Sequence, residues 1–335
     1  MADVYFSKQI EKILDKLDFN RLGSRVAIKI HFGEKGCVTY INPEIVKAVY
    51  ERVIGSGRKA SLVETNVLYR GERTRTESHI RVAKEHGFDF APIDILGGES
   101  GEEFVEVEVE GLAGTAKIAK GLENYDSMIV LSHFKGHIAA GFGGAFKNIG
   151  MGLGSRRGKL HMHADVRPSI NQKCEGCEVC LRNCDFGAIK IVDGKAMIDS
   201  KKCVGCSMCI AVCAYGAVNI PWEESRGEKV QKKIVDYTKG IFKLIPKEKI
   251  IFISVLEKIT KDCDCFGIEQ KPIVEDIGIL MSEDIVAIEK ASLNLVNFHS
   301  GGKFDKLREI DNYLQIDYGV ERRVGVEKYE LKRLD

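Results

Sequence analysis

No stretch of about 18 apolar residues occurs in this 335-residue sequence, which excludes a membrane-spanning helix. The longest apolar run, Ile250 to Leu256, is interrupted by Ser254 and predicts a buried strand instead. An apolar leader is missing too. The first residues, MADVYFSKQIEKILDKL, are amphipathic and charged, so a cytoplasmic location with reduced thiols is expected. Charge of neither sign is in excess: 50 basic residues against 49 acidic ones leave a net charge of +1, which gives no support for nucleic-acid or membrane binding. Glutamine is scarce, at five residues, beside abundant lysine, glutamate and isoleucine, a bias in the direction of thermophilic proteins. Neither a Ser-His-Asp nor a Gly-x-Ser-x-Gly arrangement is visible, and no carboxylate pair nominates an acid–base couple. Hydrolase chemistry therefore has no local support.

What is present reads as α/β. Residues 25–32, RVAIKIHF, predict a buried strand between Gly23 and Gly33. A helix follows, with Asn42 as N-cap, Pro43 at its first position and Gly55 as a stop. Then come a strand at 59–66, a helix at 74–86, a strand at 88–96, an alternating strand at 104–110 and a buried strand at 127–134. After a cysteine-rich region the pattern resumes with a helix at 229–244, a strand at 249–257, a helix from Ser282 and a last helix over 304–318. Strands alternating with helices predict a mainly parallel sheet. The expected organisation is one α/β domain built from 1–170 and 222–335, with a small α+β insert at 171–221; two separate α/β domains are the alternative.

The insert repeats itself. Residues 173–191, KCEGCEVCLRNCDFGAIKI, align with 202–220, KCVGCSMCIAVCAYGAVNI, and each carries C-x2-C-x2-C-x3-C. The chain has 11 cysteines, an odd count that forbids complete internal pairing, and eight of them lie in these two runs. Three thiolates two residues apart can wrap one corner of a cubane, while the fourth begins a helix that crosses to the other cluster. The spacing therefore predicts two 4Fe–4S clusters of the bacterial-ferredoxin type. Cys174, Cys177, Cys180 and Cys213 would hold one, and Cys203, Cys206, Cys209 and Cys184 the other. Gly176 and Gly205 allow the tight turn in each loop, and Phe186, Ile189, Tyr215 and Val218 would shield the clusters from water. Zinc sites or a disulfide framework are the alternatives, but four-cysteine zinc sites usually pair two CxxC knuckles.

Beyond the insert, KIHFGEKG at 29–36, SHFKGHIAAGFGGAFKNIGMGLGSRRGK at 132–159, and DCDC at 262–265 followed by EDIGILMSEDIVAIEKAS at 275–292 stand out. Together with the position of the insert, they resemble the domain of unknown function 362 family of iron–sulfur proteins. The resemblance covers nearly the whole chain. It implies a fold and a cofactor more than a reaction.

A further metal or cluster site is a candidate. Cys263 and Cys265 share a face of an extended segment just beyond a predicted strand, where ligands of open α/β sheets collect. His133 and His137 flank Lys135, His161 and His163 are two apart, and His31 ends the first strand; imidazole and thiolate together suit zinc or iron. Two small buried thiols and ordinary core histidines are the bland alternative. The glycine-rich stretch 141–150 with Lys147 reads as the wall of a substrate or cofactor site, or as tight packing under the insert, and it lacks a P-loop ending. Lys29, Lys135 and Lys147 are candidates for binding a small anionic substrate, within a wider basic set of Arg70, Arg73, Arg75, Arg156, Arg157 and Lys159.

The expected function is that of an iron–sulfur redox protein, an oxidoreductase or a redox-dependent maturation factor, supplied by a redox partner protein, whose clusters deliver single electrons to a substrate or a third metal centre in the α/β domain. A plain electron-transfer adapter and an iron–sulfur scaffold or sensor are the alternatives. The enzyme reading predicts that Cys263, Cys265, Lys135 and the histidines converge on one cavity; the adapter does not.

Overall fold

The computed structural model describes residues 1–69, 71–163, 168–184, 186–203, 205, 208–219 and 227–335; Arg70 and Cys206, named above, lie outside this set. Its centre is an eight-stranded sheet. In chain order the strands are β1 (Ala2–Ser7), β2 (Arg25–Lys29), β3 (Lys59–Thr65), β4 (Ile93–Leu96), β5 (Ser127–His133), β6 (Ile250–Leu256), β7 (Gly278–Ser282) and β8 (Tyr329–Arg333). Across the sheet they run β8-β1-β7-β6-β5-β2-β3-β4. β4, β3, β2, β5 and β6 are mutually parallel, β7 is antiparallel to both neighbours, and β8 is parallel to β1. The sheet is thus mostly parallel.

β5 and β6 are buried along their whole length, as central strands covered on both faces must be. Their side chains divide by parity. Ile129, Leu131, Ile251 and Ile253 pack with the helix Pro43–Gly55, whereas Met128, Val130, Ile250 and Phe252 pack with the helices Glu228–Leu244 and Ile285–His299. Asn42 caps the first of these helices, accepting from Glu44 N, with Pro43 at the first position, as the sequence predicts. β5 precedes the cysteine region and β6 follows it, and they pair from Met128↔Ile250 to His133↔Val255. The two flanks therefore meet in one sheet.

Five expectations change. The strand predicted at 25–32 ends at Lys29, and His31 beyond it lines a cavity. The strand predicted at 88–96 shortens to Ile93–Leu96. The segment 104–110 pairs as Phe104–Glu108 with Thr115–Ala119 in a hairpin outside the main sheet. The helix predicted from Ser282 begins at Ile285, because Ser282 ends β7 and Asp284 is the cap, accepting from Ala287 N. The last helix is Leu314–Glu321 rather than 304–318.

The chain steps outward from β2 to β3 to β4 and then returns to lay β5 on the other side of β2. The reversal leaves a crevice beyond the carboxyl ends of β2 and β5, the place where doubly wound sheets bind ligands. The cysteine region carries two antiparallel ribbons, Ser169–Ile170 with Val218–Asn219 and Ile189–Val192 with Lys195–Ile198, and two short helices, Val179–Arg182 and Met208–Val212. Gly176 and Gly205 take φ of 65° and 68°, left-handed conformations that a side chain would strain. Among the described residues no helix is long and apolar enough to cross a membrane.

Candidate functional site

A cavity of about 470 Å³ fills the crevice beyond β2, β3, β5 and β6. Two buried carboxylates anchor its floor. Glu64, at the end of β3, accepts from Lys29 Nζ at 2.9 Å and has Arg73 Nη1 at 3.6 Å and His79 Nε2 at 3.5 Å. Burial pushes its carboxyl up, but Lys29, His79, Lys159 and Arg73 outweigh that and hold it at about 2. Asp264, with no exposed surface, accepts from His133 Nδ1 at 2.9 Å and Lys135 Nζ at 3.1 Å. Burial works against its ionisation here too, and the same two partners overcome it and keep it well below the usual carboxylate range.

The remaining polar groups are cationic or forced neutral. Burial, then Lys135, brings the Lys147 ammonium down to about 7, and burial brings Lys159 to about 7. Burial, helped by neighbouring cations, pushes His31 and His137 well below the ordinary histidine range and His163 to about 3, so all three are neutral imidazoles. His137 Nδ1 accepts from Ala139 N and Ala140 N, which leaves Nε2 as the protonated nitrogen. Such a chamber, with several cations around two already paired carboxylates, favours an anion.

Cys263 and Cys265 are joined as a disulfide, and Cys265 lines the cavity. Lys147 Nζ is 3.6 Å from Cys263 Sγ and 3.7 Å from Cys265 Sγ, and His31 Nε2 is 3.8 Å from Cys265 Sγ. The ligand atoms of His31, Cys263 and Cys265 lie within 4.8 Å of one another, a set that could hold a metal if the two sulfurs were reduced.

The predicted residues are thus partly brought together. Lys135, Lys147, His133, His137, His163 and Cys265 line one cavity. The ligand grouping differs from the predicted one, because His133 is engaged by Asp264 and by the Glu257 carbonyl oxygen, and His161 Nδ1 meets the Tyr237 hydroxyl at 2.9 Å. Lys29 lines the same cavity, with its Nζ held by Glu64, Ile30 O and Asn148 Oδ1. Glu64, Arg73 and Asp264 were not singled out as a network. Asp264 had one signal, its place between the two flagged cysteines. Arg73 had one too, its place in the basic set, whereas Glu64 gave none, since only the fold carries the end of β3 to the crevice.

The described cysteines of the repeat also gather. One small cavity is lined by Cys174, Cys177, Cys180 and Cys213, and another by Cys184, Cys203 and Cys209. Among the described residues no disulfide joins them. Backbone N–H groups reach three of the sulfurs: Ala196 N donates to Cys174 Sγ at 3.3 Å, Ala188 N to Cys184 Sγ at 3.4 Å and Ala217 N to Cys213 Sγ at 3.2 Å. The last two repeat one geometry four residues after each run's final cysteine. Val218 and Tyr215 line the first cavity and Ile189 and Phe186 the second, although the two aromatic rings are about half exposed and shield less than the sequence suggested. Leu68 lines the large cavity and also packs in the apolar group that contains Cys180 and Cys209. Leu160 joins that group from the helix Arg156–His163, whose Lys159 and His163 face the large cavity. One wall therefore separates the two regions.

No curated protein matches the chain. The solved structures similar to the chain at low identity include the following two. The lactate racemase apoprotein from Thermoanaerobacterium thermosaccharolyticum is 13% identical, with a TM-score of 0.38 over 76% of this chain and 50% of that one. A structural-genomics protein from Thermotoga maritima is 12% identical, with a TM-score of 0.42 over 87% of this chain and 56% of its own. The chain thus spans about half the length of either, and likenesses this distant bear on neither activity nor ligand. Residues 26–294 match the family described as Domain of unknown function (DUF362), and the chain belongs to that family.

Proposed function

We propose that the chain is an iron–sulfur redox protein with a ferredoxin-like insert, in which two 4Fe–4S clusters feed single electrons to an anionic substrate in the cavity at the switch point. Cys174, Cys177, Cys180 and Cys213 would hold one cluster, and Cys184, Cys203, Cys206 and Cys209 the other. The observation that carries the reading is the partition of the described cysteines: Cys213 lines the cavity of Cys174, Cys177 and Cys180, and Cys184 lines the cavity of Cys203 and Cys209. A crossed set of this kind is what two-cluster ferredoxins require, and neither a zinc knuckle nor a disulfide framework calls for it. When bound, each cluster is a one-electron carrier. The N–H groups of Ala188, Ala196 and Ala217 would stabilise negative charge on the sulfurs and so influence potential.

The adapter alternative is weakened by the large cavity, since docking alone gives no reason to bury so many ionisable groups around enclosed space. A cytoplasmic location and a separate redox protein as electron donor belong to the same reading. Anaerobic purification with iron and sulfide counting, and EPR after reduction, tests it. About eight irons and eight sulfides per chain with spectra of reduced 4Fe–4S clusters are expected; zinc in their place, or no metal, contradicts it.

A further inference from the structure

We infer that Cys263 and Cys265 are a redox-active pair that stores two electrons in the wall of the cavity. The inference rests on the cluster reading and extends it to the place where single electrons become a pair. Four observations converge on these sulfurs. They are already joined as a disulfide. Cys265, half-buried, lines the cavity. Lys147 Nζ stands 3.6 and 3.7 Å from the two sulfurs, so charge developing on either meets a nearby cation, the setting that favours a thiolate. Leu68 and the helix Arg156–His163 separate this cavity from the cysteine repeat by a single wall.

The chemistry balances. The Cys263–Cys265 bond takes up two electrons, one from each of two reduced clusters, and breaks. Two protons from water complete two thiols, and both clusters return to their oxidised level. An iron–sulfur cluster of this type moves one electron at a time, whereas a dithiol–disulfide couple moves two. The pair therefore matches a one-electron supply to two-electron work.

The test is a coulometric reductive titration of the whole chain, purified anaerobically and set to its oxidised state. The wild type is expected to take up about four electrons and the Cys263→Ser/Cys265→Ser variant about two, both with about eight irons. Alkylation with iodoacetamide, read by peptide mass spectrometry, should label Cys263 and Cys265 only after reduction. Lys147→Gln should lower the reduced-to-oxidised ratio of the pair in a fixed glutathione buffer without changing the iron count, a readout that a merely structural role would not move. Uptake of about two electrons by a wild type holding about eight irons overturns the inference. So does full labelling of both residues before reduction, or one tightly bound divalent metal that blocks labelling after it. An iron count far from eight defeats the cluster reading instead, and alkylation after phosphine reduction then still decides whether the pair is redox-active.

Discussion

Glu64 and Glu289 are both buried glutamates, and their surroundings send them in opposite directions. Glu64 has Lys29, Arg73 and His79 around it and is held at about 2, below its ordinary 4.5. Its folded state binds fewer protons than the unfolded chain, so its stabilisation is complete above about pH 4.5 and is lost as pH falls towards 2. Glu64→Gln leaves Lys29 buried without its counter-charge and should cost about 3–5 kcal/mol in urea denaturation near neutral pH. Glu289 sits behind Gly144 and accepts from Ala145 N. Burial raises it to about 8 against the backbone N–H groups of Ala145 and Phe146, so the folded state binds more protons between pH 4.5 and 8 and stability declines as pH rises through that window. Glu289→Gln removes this contribution, so the variant should gain stability relative to the wild type as pH rises from about 5 to about 8 in urea denaturation. A difference between variant and wild type that does not change with pH contradicts the assignment.

At the scale of elements, the glycine-rich segment from Gly136 to Gly158 both borders the cavity and packs closely, against the α/β part rather than under the insert. Gly143, Gly144 and Gly152 line the cavity, whereas Gly150 stands against the Ile234 carbonyl and Gly158 against the Lys117 carbonyl. Within it the π-helical turn Lys147–Met151 aims Lys147 and Asn148 at the crevice. Gly136 lies against the Lys261 carbonyl of the loop that carries the cysteine pair. Gly136→Ala should push that loop outward, costing about 1–3 kcal/mol, and should speed iodoacetamide labelling of the reduced Cys263 and Cys265. Unchanged melting and labelling would show that the loop is not held there.

The legible elements were those with long β-branched runs or complete capping signals, such as β5, β6 and the Pro43–Gly55 helix. Of the main sheet's eight strands three were missed, and all lie on one side of it. β7 is only five residues long, GILMS, too short for periodicity to separate it from the helix that follows. β8 reads YELKR, with charges that suit an exposed edge strand and hide its β character. β1 lies in the N-terminal stretch whose charged, amphipathic pattern masked it. The cysteine repeat was legible because ligand spacing is local. The cavity was not, because His31 and Cys265 are separated by 234 residues and meet only through the order of the strands.

For the whole molecule, the strand order decides where chemistry gathers. The reversal between β2 and β5 opens the crevice, residues from both flanks close it, and the cysteine region packs against Leu68 and Leu160 at its wall. A large apolar core on each face of the sheet keeps that arrangement rigid. On this account the insert is an electron supply joined to a site built by the sheet. Its central claim is that each cluster draws ligands from both cysteine runs, and iron counting on the anaerobically purified Cys174→Ala/Cys213→Ala variant tests it most directly. Crossed ligation puts both substitutions on one cluster, so about four irons per chain should remain, with the EPR signal of one reduced 4Fe–4S cluster. If each run held its own cluster, both would be damaged, and iron falling close to zero would contradict the account.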